Sequence, residues 1–280
     1  MRHPVLIVLA GSLLLSACTQ TNGDAEVQRA LQDLDVLESG ALNDVMLSVA
    51  EPSEAVAYFS KQLSAEPDRI DLQRGLAASL VRADRTTESI SAWKRVTAHP
   101  QANDDDRVKL AEAQIRANEW GDASATLKAI PPTHETFERY KLEAMVADSN
   151  EDWDKADTFY ETAAGLTTTP AGVMNNWGFS KLTRGDYAGA ERLFTDALRQ
   201  DSRMFTTKNN LMLARGAQRN YDLPVVPMDQ TERAKLLYTL ALTAIKQNDV
   251  TIGKALLEEA VSTHPQHFEE ASRALRALEA

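Results

Sequence analysis

The side chains best suited to metal binding or nucleophilic chemistry are few: five histidines, His3, His99, His134, His264 and His267, and the single cysteine, Cys18. His264 and His267 stand three residues apart, yet no acid or thiol joins them in a known ligand pattern, so no metal site is expected. The adjacent carboxylates Glu258-Glu259 and Glu269-Glu270 splay apart around a helix and cannot share a proton or a substrate atom. No glycine-rich phosphate loop, no dinucleotide fingerprint and no nucleophile elbow occurs. A converging nucleophile, base and oxyanion donor is therefore missing, and the residues predict a chain that is not an enzyme, with no cofactor and no small-molecule substrate.

Cys18 has a different context. Arg2 precedes an apolar run from Val5 to Leu15, followed by Ser16-Ala17-Cys18. The run is well short of the ~20 residues that span a bilayer, and it reads as the apolar core of an export signal. A lone thiol has no intrachain disulfide partner. Leu15-Ser16-Ala17-Cys18 resembles the lipobox of bacterial lipoproteins. That resemblance implies removal of residues 1–17, lipid attachment at Cys18 and anchoring in a bilayer, each buried methylene contributing about 0.8 kcal/mol. Thr19, where sorted lipoproteins of the inner membrane carry Asp, implies the outer membrane with the chain facing the periplasm. Net charge is −11. Such a chain is not expected to bind nucleic acid, and it would be repelled by anionic lipid, leaving the acyl group as its membrane contact.

The body of the chain is periodic. In Ala171–Met204, Trp177 and Gly178 are followed by Arg184-Gly185-Asp186-Tyr187, then Ala190, Phe194 and Ala197. Thirty-four residues earlier, Phe137–Pro170 places Ala144, Trp153, Ala156, Tyr160 and Ala163 at the same offsets. Asp104–Thr136 supplies Leu110, Ala111, Trp120, Ala123 and Leu127, and Ile70–Asn103 supplies Leu76, Ala77, Ser89, Trp93 and Val96. Val36–Arg69 is weaker, with Gln62 where a small residue is expected. The alternation resembles the tetratricopeptide repeat, in which small residues at positions 8, 20 and 27 alternate with large ones at 7, 17 and 24.

That resemblance implies an all-α superhelical solenoid of about seven repeats, closed by a C-terminal capping helix. Each repeat is an antiparallel helix pair, here called A and B, stacked on its neighbours. Small residues let helices approach, as expected for Gly178 against Ala190, and Phe194 or Tyr160 fills the space beside them. Trp93, Trp120, Trp153 and Trp177 fall on packing positions and are expected in the core. The organisation read from the sequence is a signal at 1–17, a tether with the first helical turns at 18–35, and repeats one to six at 36–222. A proline-containing linker at 223–230 and a final repeat with its cap at 231–280 complete it. Pro224 and Pro227 disfavour helix at the residues before them, so the sixth repeat should lack its second helix. The gap is either a loop repair or an opened docking surface.

In the repeat family, A helices line an inner groove with positions 2, 5, 6, 9, 12 and 13. Here those positions carry Asn175 and Asn176 in one repeat, and Asn209 and Asn210 in the next. An asparagine amide both donates and accepts, which suits pairing with a peptide backbone. Earlier repeats place Arg74, Arg82, Lys109, Arg116 and Lys141 on the same face, a basic stripe suited to an acidic or carboxyl-terminal segment.

Asn209-Asn210-Leu211, the run Asn220-Tyr221-Asp222-Leu223-Pro224-Val225-Val226-Pro227-Met228, Thr231-Glu232-Arg233-Ala234, and the ending His264-Pro265-Gln266-His267-Phe268-Glu269 with Arg273-Ala274-Leu275 together resemble the TadD-like lipoproteins of the tight-adherence (Flp) pilus system. The resemblance implies a pilotin-like assembly factor whose partner is a secretin or another pilus component. Repeat lipoproteins that gather cell-wall hydrolases are the alternative. Replacing Cys18 by Ser is expected to move the protein from the membrane pellet to the soluble fraction, read by fractionation and immunoblot. Retention in the pellet contradicts acyl anchoring.

Overall fold

The computed structural model describes residues 40–279. The signal at 1–17, Cys18, the tether at 18–35 and the start of the repeat at Val36 lie outside the described residues. Among the described residues every regular element is an α-helix. The chain divides between Asp84 and Arg85 into two compact units, taken in turn.

The first unit contains α1 (40–48), α2 (Pro52–Ala65) and α3 (Ile70–Arg82). Pro52 stands in the first turn of α2, where its missing N–H costs nothing. Ala55, Val56 and Phe59 of α2 are buried with Leu72, Ala77 and Leu80 of α3. Gly75 is required by close approach, because a Cβ there would lie 2.3 Å from the Phe59 ring. The guanidinium of Arg82 donates to the carbonyls of Met46 (3.1 Å) and Ala50 (2.7 Å). It thereby caps the C-terminal end of α1, whose last carbonyls lack helical partners.

The second unit contains α4 (Thr86–Ala98), α5 (Asp104–Arg116), α6 (Trp120–Lys128), α7 (Phe137–Ser149), α8 (Trp153–Gly165), α9 (Ala171–Thr183) and α10 (Tyr187–Gln200). It continues with α11 (Phe205–Ala217), α12 (Gln230–Lys246), α13 (Val250–Thr263) and α14 (Glu269–Glu279). Helices α5, α7, α9 and α11 begin on the first residue of their repeats, and for two of them the cap shows why. Asn103 accepts from the Asp106 N–H (3.1 Å) while Asp106 accepts from the Asn103 N–H (2.9 Å), a reciprocal box that satisfies two orphan donors. Thr136 caps α7 through the Arg139 N–H.

The A helices end alike. Asp84, Asn118, Glu151, Gly185, Arg219 and Asn248 all have positive φ, between 54° and 83°. Each occupies the fifteenth position of its repeat, so one left-handed residue turns the chain out of the A helix and towards the next element. Only one of the six is glycine, and Glu151 carries the left-handed penalty without a side-chain bond among the described residues.

Packing follows the small and large alternation. Ala144, Ala156, Tyr160, Ala163 and Val173 form one buried cluster; Ala190, Phe194, Leu198, Leu211 and Met212 belong to the next. The hole at Gly178 holds the Phe194 ring, 2.7 Å from where a Cβ would stand, and Ala190 on the same α10 is fully buried.

The second helix of the sixth repeat is absent, and the gap is filled. Residues 219–229 run without helix, and Tyr221, Leu223, Val226 and Met228 pack against the cluster around Leu211, Leu236 and Leu240. Lys208, 2% exposed, donates to the Pro227 carbonyl and the Glu232 carboxylate, both at 2.7 Å, and pins the strap from beneath. Asp229 caps α12 through the Glu232 N–H, but the Glu232 side chain is held by Lys208 and does not return the bond. At the end of the chain, Phe268 and Ala271 are buried against Ala234, Leu237, Ala241 and Leu257, and the apolar face of α14 closes the last helix pair.

Replacing Glu151 by Gly should raise stability by about 0.5–1 kcal/mol, the relief of ~1–2 kcal/mol of left-handed strain less the entropic cost of glycine. Thermal unfolding checks this, and a lower Tm contradicts the turn geometry.

Candidate functional site

A cavity of about 530 Å³ opens in the second unit. Its walls come from three consecutive A helices: Met145, Asp148 and Ser149 on α7; Asn175, Asn176, Phe179 and Thr183 on α9; Thr206 and Asn210 on α11. Trp120 and Trp153, the first residues of α6 and α8, close one side, and Tyr160 and Ser180 form part of the floor. Repeat geometry creates this convergence. Residues at positions 5, 6, 9 and 13 of an A helix lie on one face, and successive A helices present them side by side.

The floor is a polar network. Asp148 accepts from the Tyr160 hydroxyl (2.8 Å) and from Ser180 (2.6 Å). Burial raises the Asp148 carboxyl above the usual aspartate range despite those two bonds. Burial and the neighbouring Asp148 charge push the Tyr160 phenol upward, so it stays a neutral donor. Asp157 holds a second node, accepting from Lys181 (2.8 Å), from the indole N–H of Trp177 and from Arg184. Burial works against its charge, but the bonds from Lys181, Trp177 and Arg184 outweigh that and lower its pKa below the usual carboxylate value. The Arg184 guanidinium also lies 5.5 Å over the Trp153 ring, fixing that indole at the cavity wall.

The residues picked out from sequence have distinct placements. Asn175, Asn176 and Asn210 line the cavity. The Asn175 carbonyl oxygen accepts from Thr207 (3.0 Å) and from the Asn210 amide (3.2 Å), joining α9 to α11. Asn176 makes no hydrogen bond among the described residues, and it is half-buried at the rim. Asn209 is elsewhere: its carbonyl oxygen accepts from Thr239 on α12 (2.7 Å). Lys109 and Arg116 pair with Glu112 on α5 at 3.2 and 3.5 Å, and Lys141 rests 5.3 Å over the Phe137 ring. Arg74 is half-buried on α3 in the other unit, and Arg82 is held by its capping bonds there.

The tryptophans depart from expectation. Trp93 is core, and Trp177 is half-buried, stacked on Tyr160 at 6.3 Å. Trp120 and Trp153 are half-buried and face the cavity. A residue at the start of a B helix can pack at its base and still show an edge to solvent, which position in the repeat alone does not reveal. Met145 and Phe179 are functional candidates that the sequence reading misses. Both stand at position 9 of their A helices, an inward position, and an apolar residue there is the available signal.

No family model matches the chain, and no curated protein matches it in sequence. Solved structures resemble it in fold at low identity. The C-terminal part of a TPR repeat-containing protein from Cytophaga hutchinsonii is 14% identical, over 84% of this chain and 98% of that one, with a TM-score of 0.54. A chain of the APC/C hetero-tetramer Cut9-Hcn1 is 13% identical, with a TM-score of 0.61 over 85% of this chain; the present chain spans about half, 48%, of its length. A human IFIT1 dimer with m7Gppp-AAAA is 14% identical, covering 81% of this chain and 58% of that one, with a TM-score of 0.54.

Because Asp157 is charged in the folded state with a lowered pKa, its stabilisation is present above the ordinary carboxylate pKa and is lost as pH falls through the lowered value. Asp157→Asn should cost about 2 kcal/mol at pH 7, and the gap to wild type should narrow below about pH 4. Urea unfolding at both pH values tests this, and a gap independent of pH contradicts the charged node.

These likenesses establish architecture: the chain is an all-α tetratricopeptide-repeat solenoid.

Proposed function

We propose that this protein is a non-enzymatic, protein-binding scaffold, held on the periplasmic side of the outer membrane by acylated Cys18, that assists assembly of a tight-adherence (Flp) type pilus or its secretin channel. The observation that carries the binding role is the cavity itself. Side chains from three A helices converge on an open, mostly apolar space, and the amide of Asn176 at its rim is bonded to nothing among the described residues. Groups placed to bind and not bound within the fold are the mark of a recognition surface.

The fold by itself leaves the guest open, since one similar structure is a complex with a second protein and another is a dimer with m7Gppp-AAAA. Charge favours a polypeptide here. A net charge of −11 works against the phosphate backbone of nucleic acid. The pilus assignment is supported by the lipobox-like Leu15-Ser16-Ala17-Cys18 and by the resemblance of 209–234 and 264–275 to TadD-like lipoproteins.

In cells that make the pilus, loss of the chain should deplete detergent-resistant secretin multimers. Asn176→Ala should leave the folded protein in place while abolishing its crosslinks to the secretin. Multimers at wild-type level without the chain, with crosslinks going instead to cell-wall hydrolases, would replace the pilus role with the adaptor role.

A further inference from the structure

The walls and the floor of the cavity differ in chemistry. Trp120, Trp153 and Phe179 stand on its walls with Met145, and Phe179 is 49% exposed although it lies in the middle of a helix. Tyr160 and Ser180 mark the floor, at 2% and 4% exposed, and both donate to the carboxylate of Asp148. Among the described residues that line the cavity, Asp148 alone carries a charge. Its two donors are neutral hydroxyls, and among the described residues it forms no ion pair; Arg184, which attracts it from farther away, is paired with Asp157. A carboxylate accepts about four hydrogen bonds, so part of its capacity stays open.

The basic residues expected on this face leave that balance unchanged. Lys109, Arg116 and Lys141 are not among the lining residues, and Asp105, Glu112 and Glu138 offset them on the same two helices, α5 and α7. The charge that a guest meets inside is therefore the one on Asp148.

An acidic guest would set a second negative charge against Asp148. A purely apolar guest would cover the walls, but it would strip water from a carboxylate left without a counter-charge. A long basic side chain meets both demands, because its methylene stem covers apolar wall while its head pairs with the carboxylate below. The rings act in the same direction: a cation within about 6 Å of an aromatic centroid is attracted to the negative face of the ring. A volume near 530 Å³ lies within the ~300–1,000 Å³ of pockets that enclose a ligand, and the unbonded amide of Asn176 at the rim can meet the backbone that carries the side chain.

We infer that the cavity receives a lysine or arginine side chain from a partner polypeptide, its aliphatic stem against Met145 and Phe179 and its cationic head between the aromatic rings and the Asp148 carboxylate. This rests on the protein-binding reading of the same face and names the kind of residue that the partner inserts.

The test uses the full chain in detergent and acetylated, amidated peptides that carry fluorescein on a C-terminal spacer, read by polarisation. The probe holds one lysine in a Gly-Ser context; its controls carry in that place norleucine, which keeps the stem without the charge, or glutamate. Saturable binding is expected for the lysine peptide and for its arginine counterpart, about tenfold weaker binding or less for norleucine, and no saturation for glutamate. Phe179→Ala should weaken the lysine peptide about fivefold or more. Asp148→Asn should remove most of the difference between lysine and norleucine. Because Asp148 also holds Tyr160 and Ser180, circular dichroism and thermal unfolding check both variants, and Phe179→Ala decides alone should Asp148→Asn unfold.

Equal binding of the lysine and norleucine peptides, a preference for glutamate, or an unchanged affinity in Phe179→Ala overturns the inference. Tetramethylammonium bound more tightly than the lysine peptide also overturns it, because the occupant is then a free organic cation. So does a dimer seen by sedimentation and lost in Phe179→Ala, the occupant then being a second copy. Secretin crosslinks with no preference for lysine would sink the inference and leave the scaffold reading intact. Selective peptide binding without secretin contact would support the inference and sink the pilus role alone.

Discussion

A ring set into a hole between antiparallel helices occurs twice among the described residues, once in each compact unit. Phe59 occupies the space that any side chain at Gly75 would claim, and Phe194 does the same at Gly178. Each ring is fully buried, and each hole exists because the facing residue has no Cβ. A helix pair locked this way has one register and one spacing. Dense packing permits no sliding, so the groove-lining faces of consecutive A helices are carried into fixed alignment. The cavity is a consequence of that alignment, since its lining residues belong to separate helices and converge only if the stack keeps its pitch.

Polar groups divide between joining the stack and facing outward. Asn175 and Thr207, Asp148 with Tyr160 and Ser180, and Lys208 with Pro227 and Glu232 all bridge elements that the apolar core has already brought close. Lys208 is the most demanding of these, because a buried ammonium is tolerable only with its donors satisfied. Its two bonds hold the strap that replaces a missing helix, so the break in the repeat pattern is sealed from inside and offers little surface of its own. Among the strap's large apolar residues, Val225 is fully exposed.

Period and residue size make the helices, their starts and the small-against-large packing legible in the sequence. The αL turn at the fifteenth position is less visible, because Gly185 announces it plainly and Asp84, Asn118 and Asn248 only weakly, while Glu151 and Arg219 adopt it against their own preference. Side-chain fates are the least legible. Arg82 and Asn209 stand on inward positions like Asn176, yet each is captured by a backbone or hydroxyl group that arrives from another element. Trp120 and Trp153 read as core from their repeat positions, and only the stacking of helices shows that each keeps an edge on the cavity. Local pattern specifies which face a residue takes; what it meets there depends on partners distant in sequence.

Phe194 holds the stack together, whereas Phe179, on the facing helix of the same pair, serves only the surface. Urea unfolding of Phe194→Ala and Phe179→Ala compares the two directly. Emptying the hole at Gly178 should cost about 3–5 kcal/mol, whereas trimming Phe179 should leave stability within ~0.5 kcal/mol of wild type. Equal losses in the two variants, or a larger loss for Phe179→Ala, would contradict the account.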